Sequence, residues 1–168
     1  MKKNIFKNGY SLVETVAYIA MFTILLSSVT YGTMILVKSY KDTKIVRKIE
    51  TSALASMDRM VREIRNATSV NVAGSSFGNS SGILTINNGT SSTTRFYLSN
   101  ERIYVDENGV VLGPITLSSV SVTSLVFRHI ATTTSEAIKI EMTMEGNTSG
   151  TSTVSNFYNT AVLRGSYE

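Results

Sequence analysis

The order of apolar and polar residues divides the chain into three parts, and the first part is continuously apolar. No residue from Thr15 to Val37 carries a formal charge, and Val, Ile, Leu, Met, Ala and Tyr dominate this run. As an α-helix it would extend roughly 34 Å, which exceeds the bilayer hydrocarbon core of about 30 Å. It is also longer than the about 7–15 apolar residues of a secretory signal peptide, and no A-x-A-like cleavage site follows it. The pattern therefore predicts a membrane-spanning helix.

The second part continues the helix with an amphipathic pattern. Apolar residues recur three and four positions apart, and charged residues fill many of the other positions. Neither Pro nor Gly interrupts residues 33–66. We predict that this apolar stripe packs on a sheet; its residues are Ile45, Ile49, Ala53, Met57, Met60, Val61 and Ile64.

The third part begins at Thr68, where the composition changes to Ser, Thr, Asn, Gly and β-branched residues. Ser99-Asn100-Glu101 and residues 106–109 have the composition of tight turns. Alternating apolar runs predict strands at residues 82–86, 94–98, 102–105, 110–112, 115–117, 120–127, 137–144 and 156–164. We expect surface loops at residues 73–82, 87–93 and 146–153. Together these features predict an antiparallel sheet laid on an amphipathic helix, which is an α+β fold.

One carboxylate, Glu14, lies at the entrance to the apolar run. A charge in a membrane helix costs about 2.5–3.5 kcal/mol on insertion scales, so intramembrane acids usually have a partner. Cleavage after Gly9 would give Tyr10 a free cationic amine about one helical turn from Glu14. That amine, or the amine of a neighbouring subunit, could neutralise the carboxylate. Equally, Glu14 could lie at the headgroup interface of an ordinary signal anchor.

The segment Lys7-Asn8-Gly9-Tyr10-Ser11-Leu12-Val13-Glu14, with the apolar run that follows, resembles the prepilin N-terminus of the type IV pilin and pseudopilin superfamily. The resemblance implies that a membrane peptidase cuts after Gly9 and methylates the new N-terminal residue, Tyr10. It also implies that Glu14 guides assembly into a filament. Tyr10 stands where the family usually has Phe or Met.

The resemblance gives each part of the chain an expected role. Residues 1–9 are the leader, residues 10–37 form the transmembrane and filament-core half of the helix, and residues 38–67 form its amphipathic half. Residues 68–168 form a β-sheet head packed on residues 38–67. More loosely, the head resembles the J-type minor pseudopilins in its hairpin near Tyr104, its turn at Gly109 and its strands at 125–127 and 160–164.

The function implied is that of a structural subunit of a type IV pilus or of a secretion or competence pseudopilus, with a minor subunit favoured over the main repeating one. Its partners would be the prepilin peptidase and methylase, other pilin or pseudopilin subunits, and the inner leaflet of the membrane before assembly. DNA, a surface and a secreted protein all remain open as ligands of the head. The alternative is an unprocessed, membrane-anchored β domain that binds a ligand or adheres.

The expected location is the inner (cytoplasmic) membrane, crossed once, and afterwards the filament. The resemblance implies a cytoplasmic N-terminus and a head outside. A count of basic residues favours the opposite orientation, because five Lys and Arg residues follow the apolar run within residues 38–48 and only three precede it. We follow the resemblance, since its motif is specific and the count is statistical.

Charge and composition exclude several other classes. The chain carries a formal charge of +4, but residues 1–9 hold three lysines, so the remainder is nearly neutral and net charge does not indicate nucleic-acid binding. The absence of Cys excludes disulfides and thiolate metal sites. The charged segment 38–50 could contact headgroups, pair with another subunit or face DNA, and a solvated helix face is as compatible.

No catalytic arrangement is visible. His129 is the only histidine, and no motif places a nucleophile beside it. We predict a surface or edge position for it. Asp106-Glu107-Asn108 offers too few oxygens for a Ca²⁺ site. We therefore predict that the chain is not an enzyme and uses neither a cofactor nor a metal ion.

Overall fold

The computed structural model describes residues 11–89, 91–133, 135–148 and 151–164. The leader and the two predicted processing residues, Gly9 and Tyr10, lie outside this part of the chain. The chain divides into two units, Met1–Lys41 and Asp42–Glu168. One helix, α1 (Leu12–Asn66), begins in the first unit and ends in the second.

In the first unit, α1 is the candidate membrane span. It is long and apolar enough to cross a bilayer. Its most apolar stretch of 18 residues has a mean hydropathy of 1.9, and none of these residues is buried within the structure. The prediction of a helix that can span a membrane is thus confirmed for length and composition.

In the second unit, one face of α1 is buried. The predicted apolar stripe is confirmed, because all seven of its side chains are less than a tenth exposed. Ser52 and Ser56 are buried on the same face. The helix ends near Asn66, and the N–H group of Ala67 donates to the carbonyl of Ile64 at 3.2 Å.

Two antiparallel sheets complete the second unit. The strands are β1 (Ser69–Val70), β2 (Ile83–Asn87), β3 (Thr93–Ser99), β4 (Arg102–Glu107), β5 (Val110–Pro114), β6 (Ser121–Ala131), β7 (Glu136–Thr148) and β8 (Thr151–Val162). Strands β1 to β5 form one sheet in sequence order, and β6 to β8 form the other. The α+β class is confirmed, although the sequence predicted one sheet and the structure has two.

Both predicted turns are confirmed, each as a two-residue hairpin loop. Asn100 and Glu101 have φ angles of 48° and 57° and join β3 to β4. Asn108 and Gly109 have φ angles of 53° and 82° and join β4 to β5. Two successive residues with positive φ match the right-handed twist of the flanking strands.

Two local predictions are wrong. Residues 115–117 do not form a strand, because β5 ends at Pro114. Beyond it, the N–H of Ile115 donates to the carbonyl of Ile103, and the N–H of Ile103 donates to the side-chain hydroxyl of Thr116. Residues 146–153 are not simply a loop, because β7 extends to Thr148 and β8 begins at Thr151.

The two sheets share one hydrophobic core with the second half of α1. Fully buried side chains include Ile49 and Met60 from the helix, Phe96 from the first sheet and Phe127 from the second. Backbone hydrogen bonds also join the sheets, since the segment before β2 pairs with β6. The N–H of Gly82 donates to the carbonyl of Leu125 at 2.8 Å.

Candidate functional site

Glu14 lies in the first turn of α1, where the exposed N–H groups of a helix favour a negative charge. Its Oε1 accepts a hydrogen bond from the hydroxyl of Tyr18, one turn later, at 3.0 Å. The carboxylate is exposed and forms no ion pair with any described residue. Its expected partner, the amine of Tyr10, lies outside the described part of the chain. The carboxylate of Glu14 is therefore accessible to groups outside this chain.

The helix around Glu14 exposes apolar side chains on every side. The large apolar side chains within residues 12–37 are between 49% and 79% exposed; Val37 is the least exposed of them and Leu12 the most. Soluble monomers rarely leave contiguous apolar patches larger than a few hundred Å² in water. Because Glu14 is the only charged residue between Leu12 and Val37, this surface fits lipid or the apolar surface of another helix.

Four hydroxyl groups within the apolar run are satisfied inside the helix. Thr23 donates to the carbonyl of Ile19 at 2.7 Å, and Ser27 donates to the carbonyl of Thr23 at 2.8 Å. Thr30 and Thr33 form the same bond to the carbonyl four residues earlier, at 2.9 Å each. Such bonds remove the need for water at polar side chains. The run can thus enter an apolar medium without unpaired hydroxyls at these four positions.

The charged segment 38–50 exposes most of its charges. Lys38, Lys41, Lys44 and Arg47 are exposed, and none of them forms an ion pair within the described residues. This arrangement suits a solvated face, and it equally leaves these cations available to headgroups or to another subunit.

His129 packs within the head. Its ring stacks on Phe77, with centroids 5.4 Å apart and 22° between the ring planes. Its Nε2 is buried and lies 3.8 Å from Oε2 of Glu136, beyond hydrogen-bond distance. That Oε2 instead accepts from the N–H of Val70 at 3.1 Å. The residue lies on β6, an edge strand of its sheet, and its side chain is more buried than the sequence suggested.

The acidic turn 106–109 uses two of its side chains for structure. Glu107 Oε1 lies 3.8 Å from Nη2 of Arg59 on α1. Asn108 Oδ1 accepts from the N–H of Thr93 at 2.8 Å and ties the turn to β3. Across the described ranges, no three His, Cys, Asp or Glu side chains gather in a way that could hold a metal ion.

Sequence reasoning missed one feature of the head, a basic cleft of about 250 Å³. It is lined by Asp58, Val61, Arg62, Arg65, Asn66 and Arg164. The spacing of Arg62 and Arg65 placed them on one helix face, but only the fold brings Arg164 to the same site. We call this feature the arginine cleft.

Comparison with protein-family models, with curated proteins and with solved structures found no match to this chain.

Proposed function

We propose that this chain is a structural subunit of a type IV pilus or of a secretion or competence pseudopilus. A minor subunit fits best, given the loose likeness of the head to J-type pseudopilins. The observation that carries the proposal is the single carboxylate of Glu14 among residues 12–37 of α1, which are otherwise uncharged and expose apolar side chains on every side. A simple anchor has no need of that charge, whereas a subunit can use it to set its position against a neighbour.

The energetics support an amine as the partner of Glu14. Burial in an apolar medium costs a charged side chain about 2.5–3.5 kcal/mol on insertion scales. Two opposite charges 4 Å apart gain about 4 kcal/mol at an effective dielectric constant of 20. Cleavage after Gly9 would free the amine of Tyr10, and the Tyr10 amine of a neighbouring subunit would then offset the cost of burying the Glu14 carboxylate. A misplaced neighbour would leave that carboxylate unpaired. N-methylation of Tyr10 keeps the amine cationic.

The remaining assignments follow from this role. The prepilin peptidase and methylase would act on Gly9 and Tyr10, and other pilin or pseudopilin helices would cover residues 12–37. Before assembly, the apolar run would lie in the inner membrane, with the N-terminus in the cytoplasm and the head outside. The head then acts by display or capping, and no catalytic step is part of the proposal.

The test compares Glu14→Ala with Glu50→Gln, a matched loss of one exposed helix acid outside the apolar run. Both variants are expressed in the natural host and measured for membrane insertion and for recovery in sheared filaments or cross-linked subunit ladders. We expect Glu14→Ala to insert normally and to be lost from the assembled fraction, while Glu50→Gln assembles. Normal assembly of Glu14→Ala would refute the proposal.

Intact mass of the membrane form provides an independent check. Loss of residues 1–9, with or without one methyl group on Tyr10, supports the subunit. A mature chain that still begins at Met1 contradicts it and favours the membrane-anchored β domain.

A further inference from the structure

The arginine cleft lies between the last turns of α1 and Arg164, the second residue after the end of β8. Arg62, Arg65 and Asn66 come from the helix, and Arg164 comes from the end of the described chain. The two elements are far apart in sequence, so their convergence is a product of the fold. The cleft belongs entirely to the second unit.

The cleft carries excess positive charge. Among the described residues that line it, the only acid is Asp58, whose Oδ2 lies 3.9 Å from Nη1 of Arg62. In the part of the chain that the structure describes, no carboxylate lies within 4.0 Å of Arg65 or Arg164. Elsewhere on the head, Arg59 and Arg128 each have a carboxylate partner. Among the described residues, the guanidinium groups of Arg65 and Arg164 therefore have no carboxylate partner, in contrast to those of Arg59 and Arg128.

The helix dipole explains only part of this arrangement. A cation in the last turn of a helix is favoured by the exposed carbonyl groups, which accounts for Arg65. Arg164 is not on the helix, and like-charged groups gathered in one cleft repel each other. A bound anion would remove that repulsion.

We propose that the arginine cleft binds a phosphate group. Each guanidinium presents a planar fork of N–H donors that fits two oxygens of a phosphate or a carboxylate. Three such forks and the amide of Asn66 offer more donors than the two oxygens of one carboxylate can accept. A phosphate dianion has more oxygens and more charge, and it matches the cleft better. The proposal goes beyond filament assembly and does not depend on it.

The phosphate group has two candidate sources, free inorganic phosphate and the headgroup of a phospholipid. The test uses the full chain in an uncharged detergent and titrates it by calorimetry with inorganic phosphate and, separately, with glycerol 3-phosphate as the headgroup probe. Saturable binding of either probe supports the proposal, and the tighter probe identifies the source.

Substitutions locate the site. Arg65→Gln and Arg164→Gln should each weaken binding roughly tenfold, because each removes charge-assisted hydrogen bonds to the anion. The matched control, Arg47→Gln, removes an exposed helix arginine outside the cleft and should leave affinity unchanged. Added sodium chloride should weaken binding in the wild type, because it screens the cleft.

Three results would overturn the proposal. The first is the absence of saturable binding of both probes, and the second is equal affinity in the wild type and the Arg65→Gln/Arg164→Gln variant. The third is binding of poly-glutamate without binding of phosphate, which would assign the cleft to an acidic polypeptide partner. Unchanged tyrosine fluorescence in the variants controls for loss of the fold.

Discussion

Gly82→Ala should destabilise the head, because Gly82 lies where the two sheets join. A Cβ atom at this position would lie 2.7 Å from the carbonyl oxygen of Leu125 and 3.0 Å from Cδ2 of Phe127. The same carbonyl accepts the N–H of Gly82 at 2.8 Å, and the N–H of Leu125 donates to the carbonyl of Ser80 at 2.8 Å. The obstacle is therefore backbone that is already fixed by hydrogen bonds.

The expected cost follows from these distances. To reach an ordinary contact of 3.4 Å, the two segments must separate by on the order of 0.7 Å. That separation breaks the hydrogen bond to Leu125, worth about 1 kcal/mol net, and adds an overpacking cost of about 1–3 kcal/mol. We expect Gly82→Ala to lower the free energy of unfolding by about 2–4 kcal/mol. This is a large share of the roughly 5–15 kcal/mol that stabilises a typical domain.

The assay is urea unfolding of the full chain in a non-ionic detergent, followed by tyrosine fluorescence, since the chain has eight Tyr and no Trp. The matched control is Gly32→Ala, because a Cβ at Gly32 would meet no atom within 4 Å. Gly32 lies in the apolar run of α1 and outside the hydrophobic core, so the control should stay within about 0.5 kcal/mol of wild type. Equal unfolding midpoints for the two variants would refute the reasoning.

Two further substitutions test the head. Hydrogen bonds from Arg128 and a neighbouring lysine lower the pKa of Glu141 from 4.5 to about 2, so its stabilising contribution is complete above about pH 4.5 and is lost as the pH falls through 2. The unfolding midpoints of wild type and Glu141→Gln should therefore converge between pH 4.5 and 2, and a constant gap would contradict this. Ser52→Ala should cost about 1 kcal/mol in urea unfolding, because Ser52 Oγ accepts the N–H of Leu117 at 3.1 Å and the variant leaves that donor without its partner. Ser56→Ala is the control, since this buried hydroxyl donates to carbonyls of its own helix; an equal loss in both variants would contradict the reasoning.

Local patterns predicted the features of the fold that depend on neighbouring residues. The stripe of α1 could be read from spacing alone, because a helix repeats every 3.6 residues and the buried positions follow that repeat. The turns at Asn100 and Asn108 could be read because few residue types adopt positive φ in a two-residue loop. Glu14 was found in the same way, as one charge at the edge of an uncharged run.

Features that depend on distant residues could not be predicted. The two sheets meet where Gly82 bonds to Leu125, and no periodicity in the sequence indicates such a contact. Gly146 was expected in a loop, yet it is buried on β7, and a Cβ there would lie 2.5 Å from Cγ1 of Ile45. The sequence does not distinguish a glycine that lets a helix pack closely against a strand from a glycine in a loop. Arg164 likewise could not be assigned to a site from the sequence, because only the fold brings it to the same cleft as Arg65.

The distribution of buried residues makes the assembly experiment interpretable. Every residue of the hydrophobic core lies at or after Ile45, and the apolar residues between Leu12 and Val37 contribute none of it. Substitution of Glu14 therefore removes no contact from the head, and a loss of assembly in Glu14→Ala cannot be attributed to an unfolded head. By the same reasoning, Gly82→Ala acts on the head and leaves the apolar run unchanged. If the first unit serves assembly and the second unit serves display, Glu14→Ala should fail in assembly while keeping a normal urea midpoint. Gly82→Ala should show a lowered urea midpoint while still inserting in the membrane.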